Sequence, residues 1–184
     1  MSAAVVPSAD NIVWIDLEMT GLDVNRDRIL EIGCIITDKD LNILARGPGI
    51  AIHESEEVLA GMNDWCQSNH AKTGLIQAVR DSKIGLAQAE QLVLDVVKKY
   101  CPEKACPLAG CTVHMDRMFL WRYMPRLLEY LHFRTVDITT VKELCKRWNI
   151  KVFRACPRNK DAHRALDDVE ESIQHMRYFK QKMF

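Results

Sequence analysis

The chain has 184 residues, of which 48% are hydrophobic, so one domain of ordinary size can bury a core without disulfide staples. No apolar run reaches the ~18 residues a membrane span needs, and Met1–Asp10 carries no Lys or Arg, so neither a spanning segment nor an Arg-rich or secretory leader is expected. Net charge is zero, from 25 basic and 25 acidic side chains, which argues against the strongly basic face of a long-duplex binder.

That balance hides an uneven spread. Residues 1–64 carry four basic and twelve acidic side chains, residues 65–141 ten and seven, and residues 142–184 eleven and six. An acidic N-terminal part facing a basic C-terminal part suits a metal site with a few phosphate contacts beside it. The seven cysteines are odd in number and lack C-x-x-C spacing, so free thiols in a reducing compartment are expected. The evenly spaced Cys101, Cys106 and Cys111 fit that reading better than a metal cluster.

Residues 1–10 are expected to form a disordered tail, and residues 11–184 a single domain. Asn11–Leu17 reads as a strand, rich in Ile, Val and Trp. Arg28–Thr37 and Leu41–His53 read as two more, joined by a tight turn near Asp38–Asp40. Connections this short exclude helical crossovers and predict an antiparallel meander. From Glu54 to Tyr100 the pattern is helical, clearest over Leu86–Tyr100, where Leu86, Ala89, Val93, Val96 and Val97 recur near helical spacing. Leu108–Val113 is a short buried strand. Asp116–Leu131 is helical, with Pro125 marking a break. Phe133–Ile138 is a fifth strand, Thr139–Trp148 a helix capped by Thr139 or Thr140, Ile150–Ala162 a polar loop and Leu166–Met183 a final helix. The sum is an α/β domain with a mixed five-stranded sheet flanked by helices, an architecture that decides nothing about function.

Three short segments carry chemistry. In Trp14–Gly21, side chains alternate faces along the strand, so Asp16 and Glu18 point one way and Ile15, Leu17 and Met19 the other. Two carboxylates on one face repel each other and are costly to bury. A divalent cation removes both problems, and oxygen-only donors select a hard one, Mg²⁺ or Mn²⁺. Asp116 follows a buried strand, where α/β sheets place ligand groups. His163 and Asp168 are five residues apart, ~140° around one helix. They reach one site only if His163 sits on the loop before the helix and Asp168 inside it, which leaves Asp167 solvated or capping. Each segment has a plain structural alternative, as solvated acids, a helix-dipole carboxylate or a surface histidine. Their conjunction and order are specific.

D-x-E near the N-terminus, an Asp near residue 116 and H-x4-D near the C-terminus resemble the DEDDh exonuclease superfamily. The stretches Asp16–Leu22, Arg28–Gly33, Val141–Trp148 and His163–Asp168 resemble the oligoribonuclease family within it. The likeness runs over essentially the whole chain from Asn11. It implies an RNase H-like fold and a homodimer needing no protein cofactor. It also implies 3′–5′ hydrolysis of very short single-stranded RNA, down to dinucleotides, to nucleoside 5′-monophosphates. Residue by residue, it gives Asp16, Glu18, Asp116 and Asp168 as ligands of two Mg²⁺ or Mn²⁺ ions that stabilise the attacking and leaving oxygens. It gives His163 as general base, the ordinary histidine pKa near ~6.5 suiting that task. It further places Leu22 as a wedge against a base, Trp65 and His70 as stacking rings, and Arg134 with Thr112 and Thr139 on the 5′-phosphate, Arg134 reaching across the dimer. Cys111–Thr112 stands where Asn-Ser is usual, Phe133 where Tyr is usual and Thr139 where Ser is usual. The expected compartment is the cytoplasm, or the mitochondrion if a presequence has been removed. Two other functions compete: a related exonuclease trimming or proofreading longer RNA or DNA, and a non-catalytic RNA-binding protein. The lack of a basic stripe argues against the first and the complete set of five catalytic residues against the second.

Overall fold

The computed structural model describes residues 6–158 and 163–184. Chain order begins with strand β1 (Ile12–Met19), which turns through Thr20–Arg28 into β2 (Ile29–Thr37). A tight turn follows, in which the Asp38 carboxylate accepts from the N–H groups of Asp40 and Asn42, both at 2.8 Å. Strands β3 (Ile43–Arg46) and β4 (Ile50–Ala51) both pair antiparallel with β2. The single expected strand Leu41–His53 is therefore two, because Gly47–Pro48–Gly49 interrupts the ladder. Among the described residues the sheet has six strands rather than five, in the order β3-β2-β1-β5-β6, with β4 beside β2. The antiparallel meander at its start is present as expected.

Helices α1 (Glu56–Ala60), α2 (Asp64–Lys72), α3 (Leu75–Asp81) and α4 (Leu86–Tyr100) carry the chain across to β5 (Pro107–Gly110), parallel to β1. Strand β5 stops at Gly110, short of the expected Val113. A side chain on Gly110 would meet the Ile15 carbonyl at 2.8 Å, and Thr112 takes a left-handed φ of 56°. Helix α5 (His114–Tyr123) ends as Pro125 opens α6 (Pro125–Tyr130), the break expected from that proline. Strand β6 (His132–Asp137) lies parallel to β5 at the sheet edge. Helix α7 (Ile138–Trp148) follows without a linker. Its cap is Asp137, which accepts from Thr139 N–H at 2.8 Å, not Thr139 or Thr140. The loop expected over residues 150–162 contains a short helix, α8 (Ile150–Arg154), capped by Asn149. Residues 159–162 of that stretch lie outside the described residues, as do residues 1–5 of the expected tail. Ser8 is tied down, its N–H bonded to Tyr100 O at 3.1 Å and its carbonyl to the Cys106 thiol at 3.2 Å.

Helix α9 (Ala165–Met183) closes the chain. Alternation along β1 sorts its side chains between two cores. Val13, Ile15 and Leu17 pack with Val93 and Val97 of α4 and Phe119 and Leu120 of α5 on one face. Trp14 packs with Ile35, Val169 and Ile173 under α9 on the other. Every residue of β2 is buried, including Glu31 and Gly33. Among the described residues, no helix is long and apolar enough to cross a membrane.

Candidate active site

The α9 face of β1 carries Trp14, Asp16 and Glu18 in alternation, so the two acids continue the row that the tryptophan begins. Helix α9 crosses that row with its first turn and brings Asp168 to it. Carboxylate oxygens of Asp16, Glu18 and Asp168 all lie within 4.8 Å of one another. Asp116 approaches from α5, 5% exposed, its Oδ1 accepting from Leu17 N–H at 3.0 Å. It stands beside Asp16 and outside the group of three.

Burial and mutual repulsion disfavour ionisation throughout this cluster. Desolvation, with the charges of Asp116, Glu18 and Asp168 added, holds the Asp16 carboxyl well above the usual range. Burial, then Asp168 and Glu31, push Glu18 up to about 8. Burial raises Asp116 to about 7, against the backbone N–H bonds that favour its anion. Burial and Glu171 raise Asp168 to about 6, partly offset by His163. Carboxyls gathered so closely, with oxygen as the only donor, fit a hard divalent cation.

His163 precedes α9 with a left-handed φ of 47°, followed by the extended Arg164, and Asp168 sits inside the helix. Both line one cleft of about 210 Å³ with Asp16, as the five-residue spacing requires. The His163 and Trp65 rings meet in a T-shaped pair, with centroids 6.0 Å apart at 83°. Asp167 is exposed.

A second, apolar cavity of about 480 Å³ adjoins Glu18 and is walled by Leu17, Leu22, Asn63, Trp65, Cys66 and His70. Leu22 is 68% and Trp65 62% exposed, so both stand open to a ligand rather than in the core. His70 is different. It is 2% exposed, with Nε2 at 2.9 Å from Met19 O and Nδ1 at 3.8 Å from Glu18 Oε2. A ring so enclosed cannot stack on a base; it floors the cavity and braces the end of β1.

Thr112 and Thr139 come together, their hydroxyls 3.0 Å apart, with Thr112 N–H donating to both Thr139 Oγ1 and Asp137 Oδ1. Arg134 lines neither cavity. It is exposed on the edge strand, its guanidinium over the Phe133 ring at 5.4 Å. Sequence reasoning missed Lys142, Glu171, Ser172 and His175, which also line the acidic cleft. Three of them follow Asp168 at i+3, i+4 and i+7, the spacing of one helix face. Cys111 lines the same cleft, apart from Cys101 and Cys106.

Residues 13–176 match the family model described as "Exonuclease". The chain is 47% identical to the mitochondrial oligoribonuclease of Homo sapiens over 99% of its length and 77% of the relative's. It is 50% identical to the oligoribonuclease of Francisella tularensis subsp. novicida, over 96% of this chain and 97% of that one. A zinc-bound E. coli ExoI–ssDNA complex superposes with a TM-score of 0.74 at 16% identity, over 95% of this chain. The chain spans about two-fifths of that structure (41%), and the likeness speaks for the fold alone.

Proposed function

The chain belongs to the oligoribonuclease family of DEDDh exonucleases, 3′–5′ exoribonucleases acting on short oligoribonucleotides, and we propose that it hydrolyses them at the cleft between β1 and α9, with Asp16, Glu18, Asp116 and Asp168 holding divalent metal and His163 as general base. The observation that carries this reading is the gathering of the Asp16, Glu18 and Asp168 carboxyls within 4.8 Å of one another, with His163 lining the cleft that Asp16 and Asp168 share, although β1 and α9 lie at opposite ends of the chain. Two Mg²⁺ or Mn²⁺ ions per site belong to the same proposal. Bound there, they supply charge stabilisation for an in-line displacement at phosphorus. His163 takes the proton of the attacking water as the new O–P bond forms and the P–O3′ bond breaks. The product is a nucleoside 5′-monophosphate, and the shortened chain leaves with a free 3′-hydroxyl. Leu22 and Trp65 hold the terminal base in the apolar cavity, where stacking on an exposed aromatic face is worth roughly 1–3 kcal/mol.

A homodimer completes the proposal. Trp121 and Phe133 are each 72% exposed and Met118 45%, around two apolar hollows of about 440 and 320 Å³ on α5, α6 and the edge strand β6. Arg117 lines both, and its Nη1 is buried with no hydrogen-bond partner among the described residues. Such a face suits a second copy. Arg134, beside it, would then reach the partner's substrate and close on the 5′-phosphate. The proposed compartment is cytoplasmic or mitochondrial, the second supported by the name of the human relative.

The test is to incubate the purified protein with a dinucleotide and Mn²⁺ and to follow release of monophosphate. Calorimetric titration of the metal and light scattering of the protein go with it. Monophosphate release abolished by a chelator, near two ions per chain and a dimer mass are expected. Metal-independent cleavage, or none, overturns the assignment.

A further inference from the structure

We propose that Glu31 and Arg164 form a clamp that positions His163, making them positioning residues for the hydrolysis; this rests on the reading of His163 as the base. Glu31 lies on β2 directly opposite Glu18 of β1 and is 2% exposed. Its carboxylate accepts from Arg164 Nε at 3.1 Å on both oxygens and from Arg164 Nη2 at 2.5 Å. It also accepts from Ala165 N–H at 2.9 Å. Helix α9 receives no cap from its own N-cap side chain. A glutamate 134 residues earlier in the chain performs that task.

The grip is close on every side. A Cβ on Gly33 of β2 would stand 2.6 Å from Ala165 C and Leu166 N, so strand and helix start touch backbone to backbone. The residue just before the clamp is His163, whose φ of 47° is a conformation L side chains seldom adopt. Arg164 itself is extended, with φ −131°. With Arg164 and Ala165 fixed to Glu31, the direction in which the His163 side chain leaves the backbone is fixed as well. Trp65 meets the ring in a T-shaped contact. The ring is thus held between an aromatic ring and a clamped backbone, in the cleft that holds Asp16 and Asp168.

A buried ion pair is poor evidence for stability, since an apolar pair of like volume often serves as well. What a bidentate guanidinium–carboxylate pair supplies here is direction. The pair lies outside the carboxylate cluster that suits a cation. A misplacement of about 1 Å in a reacting group can cost on the order of 100-fold in rate.

The experiment compares parent, Arg164→Gln, Arg164→Lys, the pair Glu31→Gln/Arg164→Gln, and each in a His163→Ala background, on a dinucleotide with saturating Mn²⁺. Arg164→Gln should lower kcat by about 10- to 100-fold, leave KM within about threefold and distort the acid limb of the kcat–pH profile. Arg164→Lys, which keeps the charge and loses the fork, should recover part of the rate. The paired variant leaves no buried charge unpartnered and serves if Arg164→Gln alone does not fold. In the His163→Ala background none of these changes should lower kcat further. In the metal-free protein, the His163 ring resonances, set by the Trp65 ring current, should move in Arg164→Gln. The clamp is overturned if the variants lower only Tm and leave kcat and the acid limb intact. It is equally overturned if their losses add in full to His163→Ala, or if the ring resonances stay in place. If His163→Ala itself keeps the parent's rate and acid limb, the base assignment fails and the clamp's role with it.

Discussion

Glu18→Gln removes one carboxylate from the acidic cluster and should stabilise the metal-free protein while abolishing its metal response. The side chain is 13% exposed, and burial with the neighbouring Asp168 and Glu31 charges raises its pKa from 4.5 to about 8. A carboxyl whose folded pKa lies above its unfolded value favours the fold when protonated. That contribution is complete below pH 4.5 and is lost as pH rises through about 8. At about 1.4 kcal/mol per tenfold, holding Glu18 ionised at pH 8 costs the metal-free fold up to about 4 kcal/mol. Protons shared within the cluster and water reaching the cleft reduce that, and about 2 kcal/mol is a working figure. For a chain of this length, 1 kcal/mol moves Tm by about 2–4 °C, so Glu18→Gln should melt about 4–8 °C above the parent at pH 8. At pH 5 the gap should close to about 1–2 °C, because the parent is then protonated in the fold. The assay is thermal unfolding in a chelator across pH 5–8, repeated with Mn²⁺, which should raise the parent and leave the variant nearly unmoved. Equal melting of parent and variant at pH 8, or a gap of the same size at pH 5, refutes the reasoning.

Asp16→Asn keeps the shape of the site and should lower dinucleotide hydrolysis by about three orders of magnitude or more with the circular dichroism spectrum intact; a rate within tenfold of the parent removes Asp16 from the metal site. His163→Ala should abolish the acid limb of the pH–rate profile while calorimetric Mn²⁺ affinity stays within about threefold, as expected of a base that is not a ligand. Trp65→Ala should raise KM for a dinucleotide by roughly 5- to 150-fold, the equivalent of 1–3 kcal/mol of lost stacking, and an unchanged KM shows that the apolar cavity does not hold the base. Arg134→Ala, and separately a variant that cannot dimerise, should lose the preference for 5′-phosphorylated dinucleotides over a seven-mer, read as the ratio of kcat/KM values. An unchanged ratio in both variants rules out a ruler supplied by the partner chain.

What could be read from the sequence was whatever local spacing encodes. Alternation along one strand put Asp16 and Glu18 on one face, because successive side chains of a strand cannot do otherwise. The five-residue gap between His163 and Asp168 forced a loop before the final helix, and Pro125 marked where one helix yields to the next. Capping and turn details were less accessible, since a cap depends on where the preceding strand ends. Asp137 took the role expected of Thr139 because β6 runs into α7 without a linker, and Gly47–Pro48–Gly49 cut one expected strand in two. Tertiary packing alone decided which distant groups meet. It buried His70 beneath the apolar cavity while leaving Trp65 open, although both belong to one helix, because only one face of α2 turns toward the sheet. It placed Glu171, Ser172 and His175 along the acidic cleft, and Arg134 on an exposed edge. It joined Glu31 to Arg164 across 133 residues. No spacing rule reaches across such a distance: the contact exists because the fully buried strand β2 admits the start of α9 at Gly33, and a buried carboxylate there must find its donors on whatever segment the fold lays beside it.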